Sequence, residues 1–201
     1  MSSTIKNALK NAVVLAVAAA ISVLILAVVN AMIPEYVPTL DAATVSILNE
    51  IAPTDVPDET ALAEEYFGFA MTGDALKEWN KQNGTATRKV IAAYKVVKGE
   101  ATGTVIVQTE TTGWASSPLK MYTAINQYGR FIKIYVVDMS ETFYVASDLA
   151  AINQVIAEKS VGDLTVDTFK GAMANSGATK TSTAFLDAVK LTAGIFGEVA
   201  E

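Results

Sequence analysis

The residues best suited to chemistry stand in one stretch, Asn175-Ser176-Gly177-Ala178-Thr179-Lys180-Thr181-Ser182-Thr183. It is rich in hydroxyls, and it feeds a helix whose apolar spacing (Phe185, Val189, Ile195, Phe196) predicts Thr183–Val199. Amides at a helix N-terminus, together with the positive end of the dipole, favour a phosphate. Small side chains at Ser176, Gly177 and Ala178 leave the Thr179 hydroxyl accessible to another molecule. The pattern suits a phosphate near the head of this helix. A plainer use of the same residues is that Ser182 or Thr183 caps the helix and the rest is linker.

Composition narrows the chemistry further. The 201 residues include no cysteine and no histidine. Thiolate zinc sites, iron–sulfur ligation, haem attachment through Cys-x-x-Cys-His, and Ser-His-Asp or Cys-His relays are therefore excluded. A net charge of −6 argues against nucleic acid, whose phosphates need a basic surface. No Gly-x-Gly-x-x-Gly follows a predicted strand, so a dinucleotide fold is not indicated. Nine carboxylates and no Lys or Arg lie between Glu35 and Leu76, but without the spacing of a calcium loop, and they read as a solvated acidic face.

The mean hydropathy of +0.34 is high for so charged a chain, and one segment accounts for it. Asn11 to Pro34 carries no charge, and Ala12–Ile33 is interrupted only by Ser22 and Asn30. As a helix this run is roughly 33 Å long, enough for a hydrocarbon core of about 30 Å. It is longer than the apolar region of a signal peptide and lacks the polar face of a core helix, so an uncleaved anchor is expected. Lys6 and Lys10 precede it and Glu35 follows it, which places the N-terminus in the cytoplasm and the rest outside. The expected division is 1–33, a cytoplasmic tip and transmembrane helix, and 34–201, an extracytoplasmic domain. Residues 34–201 carry 13 basic and 21 acidic groups, a net charge of −8.

Within that domain Asp41 should cap a helix through Ile51 and Asp58 another through Phe69, with a third amphipathic piece at Asp74–Gln82. From Val90 the pattern alternates: Val90–Val97 and Thr102–Thr109 around Lys98-Gly99-Glu100-Ala101, then Leu119–Asn126 and Phe131–Met139 around Gln127-Tyr128-Gly129-Arg130. This predicts an antiparallel sheet of about four strands. Phe131–Val137, apolar on both faces except for Lys133, would be central and covered by helices. Ser147–Glu158 reads as a helix with Leu149, Ile152, Val155 and Ile156 on one stripe. The fold class is α+β, with an N-terminal transmembrane helix, an antiparallel sheet and flanking helices.

Ser176-Gly177-Ala178-Thr179-Lys180-Thr181-Ser182, followed by Ala184-Phe185-Leu186-Asp187-Ala188-Val189, resembles the flavin-attachment motif of the RnfG/NqrC family. These are membrane-anchored FMN-binding subunits of the ion-pumping Rnf and Na+-translocating NADH:quinone reductase complexes. The family typically has a Gly-Tyr-Gly-Gly-Pro-Ile-Lys segment, a glycine turn, a strand and then Glu-Thr-Pro-Gly-Leu-Gly. Here Gly113-Trp114-Ala115-Ser116-Ser117-Pro118-Leu119-Lys120 is followed by the turn at Gly129, the strand Phe131–Met139 and Ser140-Glu141-Thr142. Met173 stands where the family has an Asp six residues before the acceptor, and Phe143-Tyr144-Val145-Ala146 replaces Pro-Gly-Leu-Gly.

The resemblance implies that the phosphate of FMN is esterified to Thr179 by a flavin transferase using FAD, giving a phosphothreonyl-FMN flavoprotein. It implies that Ser176, Gly177, Ala178 and the amides near Thr181 and Ser182 hold that phosphate, and that Glu141 and Thr142 contact the flavin, with Trp114 or Tyr144 against the ring. It also implies an electron-transfer subunit of an ion-translocating ferredoxin:NAD oxidoreductase (translocase) complex of Rnf type, or of the related NADH:quinone reductase. Partners would be the other membrane subunits, the transferase and the lipid bilayer, with no turnover by the isolated chain. An anchored structural or binding module without redox chemistry is the alternative from another class.

Overall fold

The computed structural model describes residues 3–32, 39–52, 63–114, 118–138, 146–174 and 178–200. The chain divides into two units, Met1–Thr39 and Leu40–Glu201.

Among its described residues the first unit holds one helix, α1 (Ser3–Met32), about 45 Å long at 1.5 Å per residue. Its stretch Asn11–Val28 has mean hydropathy 2.7 and is exposed throughout. It is long and apolar enough to cross a membrane. The Ser22 hydroxyl donates to the Ala18 carbonyl, so that side chain's polarity is satisfied within the helix.

The second unit is α+β, built on a five-stranded antiparallel sheet in simple order β1-β2-β3-β4-β5: Phe67–Met71, Arg88–Val96, Val105–Thr111, Leu119–Ile125 and Phe131–Asp138. Around it stand α2 (Ala42–Ile51), α3 (Gly73–Asn83), α4 (Ala146–Ile156), α5 (Val166–Ala172) and α6 (Thr179–Val199). Alternation along the strands splits the core into two layers. Val105, Val107, Leu119, Met121 and Ile125 face α4, α5 and α6. Phe67, Tyr94, Val96, Ile106, Tyr122 and Ala124 face α2.

The expected cap holds: Asp41 accepts the Thr44 amide at 2.9 Å, and Val45, Leu48 and Ile51 bury the inner face of α2. The Asp74–Gln82 helix is α3, with Trp79 buried. The turn at Gln127–Arg130 forms with Gly129 at φ +73°, and Asn126 Oδ1 accepts the amides of Tyr128 and Arg130. The Lys98–Ala101 connection forms too, but β3 starts at Val105, so it is longer than expected.

Three expectations need correction. The helix expected through Phe69 does not reach that far: Asp58 lies outside the described residues, and Phe67–Met71 is a fifth strand paired to Ala93–Val96. The strand Phe131–Asp138 is an edge, not the centre. It is apolar on both faces because α2 packs on one side and α4 on the other. Its open backbone is sealed locally. Ile134 N–H donates to Asn153 Oδ1 (2.7 Å), Asn153 Nδ2 donates to Ile134 O (3.0 Å), and Phe131 exchanges backbone bonds with Glu158 and Lys159. Asn80 does the same to Val90, at 2.9 and 2.8 Å, where β2 runs beyond β1. A carboxamide thus stands in for a strand peptide at both places, which satisfies groups that would invite edge-to-edge pairing. Finally, the last helix begins at Thr179 rather than Thr183.

Candidate functional site

The site is set by the early start of α6. Thr181, Ala184, Phe185, Ala188, Val189, Thr192 and Ile195 are buried at spacings of three and four, one continuous stripe against β3 and β4. Burial of Thr181 and Ser182 outweighs the loop preference of a Thr/Ser run, and adds the extra turn. Neither residue presents its side chain to solvent: both are 0% exposed. The Ser182 hydroxyl lies 3.7 Å from Met173 Sδ, and its amide already donates to Ala178 O at 2.8 Å. The capping role for Ser182 or Thr183 is therefore overturned. Ser182 is inside the helix, and the Thr183 hydroxyl donates to Thr179 O at 2.8 Å.

Ala178 is the N-cap, buried, and supplies no side-chain acceptor. Asp41 caps α2 and Thr165 caps α5, whereas the 21-residue α6 starts on an alanine. The ladder begins at Ser182, so the amides of Thr179 and Lys180 have no intrahelical acceptor. Thr179 is the first helical residue and is exposed. An exposed hydroxyl thus sits on the amide-rich, electropositive end of the longest helix of the domain.

Trp114, in the connection after β3, is 56% exposed, and Lys180 Nζ lies 4.6 Å from its ring centroid. This cation–π contact brings together two segments that sequence reasoning had picked out separately. Lys120 belongs to the other face: it alternates with Leu119 and Met121, which face α6. Glu141, Thr142, Ser176, Gly177 and Tyr144 lie outside the described residues.

Sequence reasoning missed two residues. Lys180 is one, because nothing in the chain places it beside Trp114. Asp148 is the other. It is the buried carboxylate among the described residues, in the first turn of α4, and its Oδ1 accepts the Ala174 amide at 2.9 Å. A carboxylate thus holds the backbone next to Met173, the position where the motif has its Asp, but it arrives from another helix. The signal was available: an Asp at the head of an apolar stripe.

These residues fit a phosphate-linked flavin at Thr179: an exposed threonine, the amides of Thr179 and Lys180 without an intrahelical acceptor, one cation and one exposed aromatic ring. Among the described residues no cluster of carboxylates could hold a metal ion. No family model matches the chain, and no curated protein matches it.

Proposed function

We propose that the chain is a membrane-anchored electron-transfer subunit carrying FMN through a phosphoester to Thr179, as part of an Rnf-type ion-translocating complex. The observation that supports the reading best is the Lys180–Trp114 contact, which ties an exposed aromatic ring to the residue that follows the exposed Thr179. The apolar run of α1 supplies the anchor, with the N-terminal end of that helix, which carries Lys6 and Lys10, on the cytoplasmic side and the domain on the extracytoplasmic side.

Attachment balances as a transfer from FAD. The Thr179 oxygen bonds to the FMN phosphorus, the pyrophosphate P–O bond breaks, AMP leaves, and the hydroxyl proton passes to a base on the transferase. The first-turn amides of α6 and the Lys180 ammonium offset the charge of the resulting phosphodiester. Ala178, buried behind Thr179, keeps the acceptor at the surface. Bound FMN supplies one- and two-electron chemistry that the side chains lack, in a chain without Cys or His. A tether suits an extracytoplasmic domain, which could not replace a lost diffusible cofactor from the cytoplasm.

The test is a denaturing gel under ultraviolet light, on full-length protein made beside an active flavin transferase. A fluorescent band that vanishes in Thr179→Ala and persists in Thr181→Ala is expected. A dark band from the parent chain contradicts the reading.

A further inference from the structure

Lys180 has no part in the motif itself, and its placement is odd for the second residue of a helix, where a cation faces the positive end of the dipole. Its side chain folds over the Trp114 indole instead, at 4.6 Å, although both residues are exposed. Among the described residues Lys77, Lys81, Arg88, Lys89, Lys98, Arg130 and Lys133 are tied to carboxylates, and Lys180 takes part in none of these ion pairs. Its resting partner is a ring.

We propose that Lys180 is the charge-holding residue of the attachment site, with two positions. While Thr179 is bare the ammonium rests on the Trp114 indole. When Thr179 carries a flavin phosphodiester the ammonium moves to the phosphate oxygens, and the vacated indole face receives the flavin ring. This inference rests on the flavin reading above and adds a residue and a regulation to it.

The direction of the exchange follows from relative strengths. An ammonium over an exposed indole is a weak contact. The same ammonium on a phosphate makes charge-assisted hydrogen bonds, which are among the stronger polar contacts. No ion pair has to break for it to move, and a lysine carries three donors on a flexible stem. The exchange also separates two demands on Trp114. An exposed indole with nothing over it is a sticky surface, and the lysine covers it until the flavin does.

The experiment uses the full chain, made with and without a flavin transferase, as Lys180→Gln, Lys180→Arg and Trp114→Leu. Intact mass gives the rate and extent of FMN addition. Flavin emission per adduct reports ring contact, because an indole touching the flavin quenches it. In a Trp79→Phe background the bare chain has Trp114 as its sole tryptophan, and acrylamide quenching reports cover on that ring. The account predicts that Lys180→Gln slows addition several-fold, that Lys180→Arg restores most of it, and that Trp114→Leu labels fully but emits several-fold more. It also predicts that Lys180→Gln makes Trp114 more accessible to acrylamide in the bare chain. Addition at the parent rate in Lys180→Gln, or unchanged emission in Trp114→Leu, overturns the exchange and leaves the flavin reading standing. Failure of the parent chain to take FMN overturns both.

Discussion

The Lys180 ammonium stands 4.6 Å from the centre of the Trp114 ring, so the head of α6 and the loop after β3 meet at one exposed place. Neither residue is needed there for the core: Trp114 is 56% exposed and Lys180 is exposed. An exposed pair of this kind contributes about 0.5–1 kcal/mol, too little to account for a stable fold. Its removal is therefore expected to leave thermal stability within about 1 kcal/mol of the parent, by melting Lys180→Gln in detergent. A large loss of stability would make the pair structural.

Asp148 should matter more. Its carboxylate accepts the Ala174 amide from a buried position. Hydrogen bonds to charged groups are worth about 1.5–3 kcal/mol, so Asp148→Ala is expected to destabilise by that amount. Asp148→Asn, which keeps an acceptor oxygen, should lose less. Denaturant melts of both variants decide the point.

The two carboxamide seals predict a local effect. Asn153→Ala leaves Ile134 N–H and C=O without their partners at the sheet edge, and should cost about 1–3 kcal/mol. Hydrogen exchange at the Ile134 amide is expected to accelerate while the Val107 and Met121 amides, in the sheet centre, slow-exchange as before. Equal acceleration everywhere would mean the asparagine supports the whole domain instead.

Gly194 lets α6 pass close to Trp79. A Cβ there would stand 2.9 Å from Trp79 Cζ2, and a buried ring edge yields poorly. Gly194→Ala gains about 1 kcal/mol of helix propensity but overpacks at a cost of about 1–3 kcal/mol, so the net expectation is destabilisation. The near-ultraviolet circular dichroism of Trp79 should change with it. A stabilised Gly194→Ala variant would show that the ring moves freely.

Acid should weaken α2 in a defined way. Hydrogen bonds from the Thr44 amide, and then from the Thr44 hydroxyl, hold the Asp41 carboxyl below its ordinary value. A depressed folded pKa contributes stability above the unfolded value of about 3.9, lost as pH falls through the folded one. Asp41→Ala should cost about 1 kcal/mol at pH 7, or roughly 2–4 °C in Tm. Asp41→Asn keeps the cap, so it should change Tm little at pH 7 and narrow the gap between pH 7 and pH 3. An unchanged gap would remove Asp41 from the acid response.

Much of this architecture was legible in the chain because it rests on local pattern. α1 follows from an uncharged run, α2 from Asp41 ahead of Val45, Leu48 and Ile51, and β2 to β5 from alternation and glycine turns. What was not legible depends on partners distant in sequence. Phe67–Met71 is short and holds a glycine, and becomes a strand only because Ala93–Val96 pairs with it. The first turn of α6 is a Thr/Ser run that favours loop until Thr181 and Ser182 are buried. Phe131–Asp138 reads as central because both faces are apolar, yet its edge is closed by Asn153 rather than by a sixth strand. At the candidate site, the accessibility expected of Thr179 is met, while Lys180 over Trp114 is a tertiary contact with no local signature, and Asp148 under Ala174 left only an Asp at the head of an apolar stripe.

The central claim is a phosphoester at one side chain, and peptide mapping by mass spectrometry reads it directly. Full-length protein made beside an active flavin transferase and digested with trypsin should yield a peptide containing Thr179 heavier by FMN less one water, with fragmentation placing the group on that residue. An unmodified peptide, or the group on Thr181 or Thr183, would contradict the account.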